Sequence, residues 1–434
     1  MLKAYIYTLG CRVNQYESDA IIQELQKEGI EIANTDTECH ICIINTCSVT
    51  GESDRKSKQI IRRLSKKNPN AFIVVTGCFA ELNPKSAAKI QGVDLVCGNN
   101  AKSQIVTLIK NLAYKKRSEC QIHMPSIYDG RFDVMSAGAP LKRTRAFIKI
   151  QDGCDSKCAY CIIPFARGCV RSNTKENILC EANKIVSEGC REIVFTGIET
   201  ASYGKDLKNG YSLPDLLADV QAIDGLERIR LGSLDPFQLT HEFIDKISVL
   251  SKVMPHFHIS MQSGCSKTLK EMKRKYNIDM AAERLAYLRK KIPGVMLSAD
   301  VITGFPNETE EDFSKTLEFF KEQRFLHLHI FPYSKREGTV AATMDNQVPE
   351  NVKKERLHRL EKQQEEIKAE LLKVICEKSE KLEVLFETYD GEYILGHTPD
   401  FIEVKAKSDV PYSNKILFIA PTHSDADYIY GNII

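Results

Sequence analysis

Three closely spaced cysteines, Cys154, Cys158 and Cys161, constrain this chain more than any other feature of its sequence. They have the spacing Cys-x3-Cys-x2-Cys and follow a strand-like run, Phe147 to Ile150. Thiolates at this spacing can bind three corners of a cubane, so one iron of a [4Fe-4S] cluster stays open. A structural zinc site would need a fourth ligand near a second Cys-x2-Cys pair, and none follows at suitable spacing. A redox Cys-x2-Cys motif would leave Cys154 unexplained. The spacing therefore favours an open iron-sulfur cluster.

This cysteine loop follows the first strand in a series of six strand-helix units. Helical stretches such as Asn177 to Glu188 and Glu311 to Glu322 separate the strands. Right-handed crossovers predict that such units form a barrel or part of one, with the working face at the carboxyl ends of the strands. The strand-like runs are Phe147 to Ile150, Ile193 to Thr196, Ile229 to Leu231, Phe257 to Ser260, Met296 to Ile302 and Leu326 to Phe331.

The first ~115 residues alternate strand-like and helical patterns, which predicts a parallel α/β sheet. A cysteine closely follows each of three strand-like runs. Because the carboxyl ends of parallel strands meet at one edge, these cysteines should converge there. The alternative is three unrelated buried thiols. The runs are Ala4 to Thr8, Ile41 to Asn45 and Ala71 to Thr76, and the cysteines are Cys11, Cys47 and Cys78.

The remaining nine cysteines have no defensible ligand spacing, so we expect them to fill the core. Disulfides are not expected, because a chain this long does not need them and we expect a reducing, cytoplasmic location. No run approaches 18 uninterrupted apolar residues, so no membrane partner is expected. The nine are Cys39, Cys42, Cys97, Cys120, Cys169, Cys180, Cys190, Cys265 and Cys376.

The length of 434 residues exceeds what one hydrophobic core usually serves, so several domains are expected. We predict an N-terminal parallel α/β domain (1–115), a linker (116–143), a partial (βα)6 barrel (144–373) and a small C-terminal antiparallel β-barrel (374–434). The barrel region ends in a highly charged helix from Pro349 to about Lys381. The fold class is therefore α/β with an all-β C-terminal domain.

Charge is balanced over the whole chain but not locally. The net charge is +2, yet seven basic residues and no acid lie between Arg55 and Lys67. This run is either a solvated helix face or a phosphate-contacting patch. From Lys381 to Ile434 nine acidic residues outnumber four basic ones, which disfavours whole-face contact with RNA there. Stacking on Phe401 or Tyr393 would remain open.

Several motifs together resemble the radical S-adenosylmethionine methylthiotransferases over essentially the whole chain. They include the loop from Phe147 to Gly168, Gly10 to Gln15, and Asn45 to Cys47. The barrel adds Gln262 to Gly264, Thr303 to Thr309, and Phe331 to Ser334 with Arg336, Gly338 and Thr339.

The resemblance implies two [4Fe-4S] clusters and S-adenosylmethionine. Cys154, Cys158 and Cys161 would hold the radical-generating cluster, whose open iron chelates S-adenosylmethionine. The resulting radical activates an inert C–H bond that acid-base catalysis cannot reach. Cys11, Cys47 and Cys78 would hold a second cluster whose open iron carries the inserted sulfur.

Contacts to S-adenosylmethionine are expected from residues near the carboxyl ends of the barrel strands. Glu199 follows the second strand, where the superfamily binds the methionine amino group. Arg274 is expected to meet the carboxylate. A surface or capping role is the alternative for each of these residues. The full set of expected cofactor-binding residues is Tyr160, Glu199, Ser233, Gln262, Arg274 and Asp300.

The resemblance is strongest to the branch that methylthiolates carbon 2 of N6-threonylcarbamoyladenosine beside the anticodon of tRNA, at position 37. The residues from Cys11 to Ser18, Asp54 to Ser57 and Ile162 to Gly168 carry it. The isopentenyladenosine branch, a ribosomal protein side chain, and a cluster carrier without turnover are the alternatives. The threonylcarbamoyl carboxylate calls for a cation, for which Lys335 and Arg336 are candidates. The implied partners are tRNA, a sulfur donor and an electron donor.

Overall fold

The structure of this protein is a computed structural model that describes residues 2–37, 39–112, 119–139 and 144–434. Over these residues the chain forms a parallel α/β sheet, then a six-stranded partial barrel, then a closed β-barrel. The predicted fold class is confirmed, with corrections at the end of the first region and in the last one.

The N-terminal sheet has six strands in the order β2-β1-β3-β4-β5-β6, and all its strand pairs are parallel. Its strands are β1 (Lys3–Thr8), β2 (Glu31–Ile32), β3 (Ile41–Thr46), β4 (Phe72–Gly77), β5 (Leu95–Cys97) and β6 (Gln121–His123). Its helices are α1 (Arg12–Lys27), α2 (Gly51–Lys67), α3 (Cys78–Leu82), α4 (Pro84–Ala88) and α5 (Ile105–Asn111). Apolar clusters cover both faces, so β3 and β4 are buried at every residue.

Strand β6 corrects the predicted linker of residues 116–143. Its three residues pair with β5 and extend the N-terminal sheet by one strand. The segment is too short and too polar to show a strand pattern, because Gln121 and His123 are partly exposed at the sheet edge. The linker residues 116–118 and 140–143 lie outside the described residues.

The central region contains six parallel strands whose boundaries match the predicted runs within two residues. They are β7 (Arg145–Lys149), β10 (Glu192–Thr196), β11 (Arg228–Leu231), β12 (His256–Gln262), β13 (Met296–Thr303) and β14 (His327–Pro332). Two three-stranded sheets, β7-β10-β11 and β12-β13-β14, are joined by parallel bridges between Ile229 and Val253 and between Leu234 and Ile259. The result is the open six-unit barrel that the sequence predicts.

A small antiparallel pair and eight helices complete this region. The pair is β8 (Gln151–Asp152) and β9 (Arg171–Ser172), which flank the cysteine loop. The helices are α6 (Ile163–Arg167), α7 (Lys175–Ser187), α8 (Leu213–Gln221), α9 (His241–Ser248), α10 (Ser266–Glu271), α11 (Ile278–Lys291), α12 (Glu310–Gln323) and α13 (Glu350–Lys378). Helix α13 crosses the predicted boundary at residue 373.

Alternation along the barrel strands separates a core face from a polar lumen. In β12, Phe257 and Ile259 are buried in the main core, whereas His256 and His258 point the other way. Because the strand period is two, every second residue of these strands faces the inside of the barrel. The lumen is lined by polar and charged side chains together with apolar ones such as Phe147, Val194 and Leu231.

The C-terminal region is a closed five-stranded barrel in the order β15-β16-β17-β19-β18. Its strands are β15 (Leu382–Tyr389), β16 (Tyr393–His397), β17 (Glu403–Lys407), β18 (Lys415–Ser424) and β19 (Ile429–Ile433). Pairing is antiparallel except between β17 and β19, which are parallel, so the prediction of an antiparallel barrel is wrong for that pair. In the barrel, β18 lies between β15 and β19, so β19 is the strand that pairs with β17, and this pair is parallel.

Ion pairs attach this barrel to the base of the central one. Arg228 Nη2 lies 2.7 Å from Glu383 Oε1, and Arg145 Nε lies 2.8 Å from Glu387 Oε1. Two of the acidic residues counted in the C-terminal sequence are thus neutralised by barrel arginines. None of the helices within the described ranges has the length and apolarity that crossing a membrane requires.

Candidate metal centres and their interface

The barrel cysteine triad lies on a loop that β8 and β9 hold at both ends. Gly153 begins the loop with φ 71°, and a Cβ there would lie 1.8 Å from the Cys169 carbonyl oxygen. Only glycine fits this backbone. The Cys154 N–H donates to the Gly168 carbonyl at 3.0 Å, which closes the loop.

Two cysteines of the barrel triad contact charged side chains. The Cys154 thiol donates to Glu199 Oε2 at 3.2 Å, and Arg274 Nη1 donates to Cys158 Sγ at 3.2 Å. Burial raises the pKa of Cys154, with Glu199 adding to the effect, and burial raises the pKa of Cys161 to about 12. Metal binding at these thiols must therefore displace protons.

The N-terminal triad forms where three parallel strands end. Cys11 precedes α1, Cys47 follows β3 and Cys78 begins α3 directly after β4. A Cβ on Gly10 would lie 2.8 Å from Cys47 Sγ. Burial, together with the nearby Cys78 and Cys11 thiols, raises the pKa of Cys47 to about 11. The strand ends thus bring the three thiols together, as the sequence predicts.

Each triad offers three thiols, and in a cubane each thiolate binds a different iron. Three thiols per site leave one iron of a four-iron cluster without a protein ligand.

The two triads meet through Asn99 and Arg167. Asn99 Nδ2 donates to the Ala166 carbonyl at 2.8 Å and lies 3.9 Å from Cys78 Sγ. Arg167 Nη2 donates to Asn14 Oδ1 at 2.5 Å, three residues after Cys11. Helix α6 of the barrel loop therefore packs directly against the N-terminal cysteine site.

A fully buried charge network supports this interface. Glu17 of α1 accepts from Arg167 Nη1 at 2.6 Å and from Lys149 Nζ at 2.8 Å, and it also binds Lys102. Asp152 joins the network 2.9 Å from Lys149 Nζ. Burial alone would raise the pKa of Glu17, but Arg167, Lys102 and Lys149 outweigh it and hold the pKa well below its ordinary value. The carboxylate is therefore ionised and ties both domains together.

Of the six residues predicted to bind the cofactor, three lie on the cysteine loop or contact it, and three lie in or just after barrel strands. Glu199 and Arg274 contact the barrel cysteines, and Tyr160, on the same loop, packs edge-on against Phe305 with ring centroids 6.4 Å apart. Gln262 ends β12 with φ 63° and Ser233 follows β11, both partly buried. Asp300 lies midway along β13, where its Oδ2 is 3.1 Å from His258 Nε2. Asp300 thus belongs to the lumen.

Two predicted roles are wrong. Arg336 is not a free cation, because its Nη2 donates to Asp54 Oδ2 at 2.7 Å and to Ser48 Oγ at 2.8 Å across the domain interface. Phe401 is not free to stack on a base, because it lies under Arg230 and His256 at the base of the central barrel. Lys335 remains exposed.

Sequence reasoning missed the residues that line the lumen. His256 and His258 alternate in β12, and His327 and His329 alternate in β14. This His-x-His pattern, on the two strands that flank β13, was visible in the sequence and indicates a common face. Arg12, next to Cys11, carries no comparable signal, because its direction depends on how the two domains pack.

Comparison with known proteins defines the class first. The description "Radical SAM superfamily" matches residues 148–320, and "Uncharacterized protein family UPF0004" matches residues 3–98. The radical S-adenosylmethionine methyltransferase TsrM from Kitasatospora setae has the same fold with a TM-score of 0.57, 12% identity, and coverage of 79% of this chain and 74% of that one. The barrel and its cysteine loop are thus those of a radical S-adenosylmethionine enzyme.

Two sequence relatives narrow the class. The threonylcarbamoyladenosine tRNA methylthiotransferase MtaB of Bacillus subtilis is 38% identical over 100% of this chain and 97% of its own length. The tRNA-2-methylthio-N(6)-dimethylallyladenosine synthase of Clostridium botulinum is 36% identical over 91% of this chain and 88% of its own. The chain belongs to the radical S-adenosylmethionine methylthiotransferase family. It is an enzyme whose cofactors are two [4Fe-4S] clusters and S-adenosylmethionine.

Proposed function

We propose that this enzyme acts in the cytoplasm on tRNA and methylthiolates carbon 2 of N6-threonylcarbamoyladenosine at position 37. The observation that carries the proposal is the full-length similarity to MtaB of Bacillus subtilis, at 38% identity. The second candidate substrate is N6-isopentenyladenosine, because the Clostridium botulinum synthase is similar at 36% identity.

In this proposal, Cys154, Cys158 and Cys161 would hold one cluster, and Cys11, Cys47 and Cys78 the other. When bound, the clusters and S-adenosylmethionine supply the carbon radical and the inserted sulfur. Glu199 and Arg274 contact the barrel triad and would orient the amino and carboxylate groups of S-adenosylmethionine. Asn99 and Arg167 connect the two cysteine sites. These contacts would fix the distance between the sites and so the space that a base could occupy.

A basic groove on the N-terminal domain supports a tRNA partner. It has a volume of about 1280 Å³ and runs between α2 and α4. Its cations are Lys58, Arg62 and Lys66 on α2, with Lys85 and Lys89 from α4 and its C-terminal end. Lys58 also lies over the ring of Phe79, the neighbour of Cys78. Lys58 therefore connects the groove to α3, the helix that carries Cys78.

The basic run from Arg55 to Lys67 contains cations that are paired with acids and cations that are not. Arg55 pairs with Glu52 at 2.5 Å, and Arg63 and Lys67 pair with Asp36 at 2.8 and 2.6 Å. By contrast, no acid of the described chain pairs with the groove cations on α2. The groove cations are therefore the ones whose charge is available to phosphates.

Charge neutralisation tests this assignment. Changing Lys58, Arg62 and Lys66 to Gln should weaken tRNA binding and lower the slope of log K against log salt by about one unit for each lost phosphate contact. The matched control changes three residues of the same helix, Arg55, Arg63 and Lys67, and should leave the slope unchanged. Equal slopes for both triple variants would remove the groove from the proposal.

The nucleoside profile of tRNA tests the substrate. The gene is expressed in a bacterial host that makes both N6-threonylcarbamoyladenosine and N6-isopentenyladenosine but lacks both methylthiotransferases. Mass spectrometry should find the 2-methylthio form of the first and none of the second, and the Cys154→Ala variant should produce neither. Appearance of only the 2-methylthio isopentenyl form would refute the substrate assignment and leave the methylthiotransferase activity intact.

A further inference from the structure

A cavity of about 510 Å³ lies inside the central barrel, below the cysteine sites. Its lining includes Arg145, Arg230, His258 and His329 from the barrel strands, and Phe401 of the C-terminal domain closes it at the base. Arg12, the residue after Cys11, also lines it. The volume is that of an ordinary small-ligand pocket, and it begins beside the N-terminal triad.

Most cations of the cavity are already neutralised. Arg230 Nε lies 2.9 Å from Glu192 Oε1, Arg145 pairs with Glu387, and Lys368 Nζ lies 2.8 Å from Asp427 Oδ1. These contacts anchor the C-terminal barrel and α13, so their charge serves the structure. A ligand anion would have to compete with each of these acids.

Arg12 differs from these cations. Among the residues that the structure describes, none forms a hydrogen bond or an ion pair with its side chain. Arg12 is an exposed side chain that lines the cavity, so both solvent and a ligand can reach its guanidinium. An arginine side chain stays charged at neutral pH. The guanidinium is thus charged and available to a ligand.

The histidines of the cavity supply hydrogen bonds rather than charge. Burial lowers the pKa of His327 to about 4 and also lowers that of His329. His258 Nδ1 lies 2.9 Å from Ser298 Oγ. Imidazole and hydroxyl groups of this kind suit a hydroxyl and a carbamoyl group. Arg12 supplies the cation that has no acidic partner among the described residues, and the carboxylate of Glu403 also lines the cavity.

We propose that this cavity holds the N6 substituent of the target adenosine and that Arg12 binds its carboxylate. The inference rests on the proposed function and deepens it, because it names the residue that separates an anionic substituent from an apolar one. A dimethylallyl group would leave Arg12 desolvated without a partner, which disfavours that substrate. Because Arg12 directly follows Cys11, binding the carboxylate would also place the adenine beside the N-terminal triad.

The contact between Arg12 and the substrate carboxylate is tested by a cycle in which each partner is changed alone and both are changed together. The substrates are anticodon stem-loops that carry either N6-threonylcarbamoyladenosine or its neutral carboxamide. Arg12→Gln should lower kcat/KM for the carboxylate substrate by about 10- to 100-fold, mainly through KM. The carboxamide should lower kcat/KM of the wild-type enzyme to a similar extent, and Arg12→Gln should then cost no more than about twofold further.

Two further variants separate binding from structure. Arg12→Lys keeps the charge and should retain a preference for the carboxylate substrate. Arg324→Gln changes an exposed arginine that is paired with Glu370 and does not line the cavity, and it should behave as wild type. Iron content should stay at about eight per chain in all variants, which shows that the cluster beside Arg12 is intact.

The outcomes distinguish the inference from the proposed function. If the wild-type enzyme makes no product from the carboxylate substrate, the proposed function fails and the inference fails with it. If the wild-type enzyme is active and Arg12→Gln loses the same factor on both substrates, or loses nothing, only the inference is overturned.

Discussion

The two cysteine sites are built in opposite ways. The barrel triad lies within one segment, Cys154–Cys161, so its geometry is set by a single loop and the glycine that begins it. The N-terminal triad comes from three strand ends far apart in sequence, so its geometry depends on the register of β1, β3 and β4. A local site can be damaged by one backbone change, whereas a strand-end site depends on the whole sheet.

Two glycine substitutions should break the sites one at a time. A Cβ on Gly153 would lie 1.8 Å from the Cys169 carbonyl oxygen, and one on Gly77 would lie 2.3 Å from the Thr46 carbonyl oxygen. Gly153→Ala should cost the barrel cluster and Gly77→Ala the N-terminal cluster. Each variant, purified and reconstituted anaerobically, should keep about four of about eight irons.

Gly189→Ala is the matched control for this pair. Gly189 also has a positive φ, 93°, but a Cβ there would meet no atom within 4 Å. The variant therefore carries the backbone strain without the clash and should keep about eight irons. If either cysteine-site variant lost all its iron, the two sites would not be independent.

Glu17→Gln should destabilise both cysteine sites together, because the Glu17 carboxylate forms ion pairs with residues of both domains. The change leaves Lys102, Lys149 and Arg167 buried with too little negative charge. We expect the free energy of unfolding to fall by about 3–5 kcal/mol, measured by anaerobic denaturant titration.

Glu24→Gln on the same helix is the control. Glu24 makes an exposed pair with Lys27 at 2.6 Å and should change the free energy of unfolding by less than about 1 kcal/mol. A loss below about 1 kcal/mol for Glu17→Gln would contradict the shared support.

A smaller effect is expected from Glu181, which joins α7 of the barrel region to the N-terminal helix α1. Burial raises the pKa of Glu181 to about 7, although the Ala137 N–H and the Tyr16 hydroxyl contact its carboxyl group. The folded protein therefore holds the proton more tightly than the unfolded chain, and stability should fall as pH rises from about 4.5 to about 7.

Glu181→Gln mimics the protonated form and should remove this dependence. The free energy of unfolding of the wild type relative to Glu181→Gln should decrease between pH 5 and pH 7 and level off above pH 7, with a total change of up to about 3 kcal/mol. A difference that stays constant with pH would show that Glu181 is already ionised in the folded protein.

The strands, the helices and the convergence of the cysteines could be predicted from the sequence, because they depend on local residue patterns. Buried apolar runs predicted β3 and β4, because a strand covered on both faces must be apolar along its length. Shorter apolar or β-branched runs predicted the six barrel strands. The convergence of Cys11, Cys47 and Cys78 followed from one topological rule about parallel strands. Helix α12 was visible from its periodicity, and its capping box at Thr309 and Asp312 fixes its start.

The sequence was insufficient where a contact crosses between domains. Arg336 follows the last barrel strand, as a substrate cation would, but it pairs with Asp54 of the N-terminal domain. Arg12 lines the cavity only because α1 is held against the barrel by Glu17. Phe401 closes the lumen instead of facing RNA, and no periodicity could distinguish these roles.

The central claim is that the two sites divide the work, and one measurement tests it most directly. The variant with Cys11, Cys47 and Cys78 all changed to Ala is incubated with S-adenosylmethionine, reductant and tRNA, and both 5'-deoxyadenosine and the 2-methylthio nucleoside are quantified. Our account predicts that 5'-deoxyadenosine still forms while the methylthio product is absent, with about four irons retained. Loss of both products in a variant that keeps its fold and those four irons would contradict it.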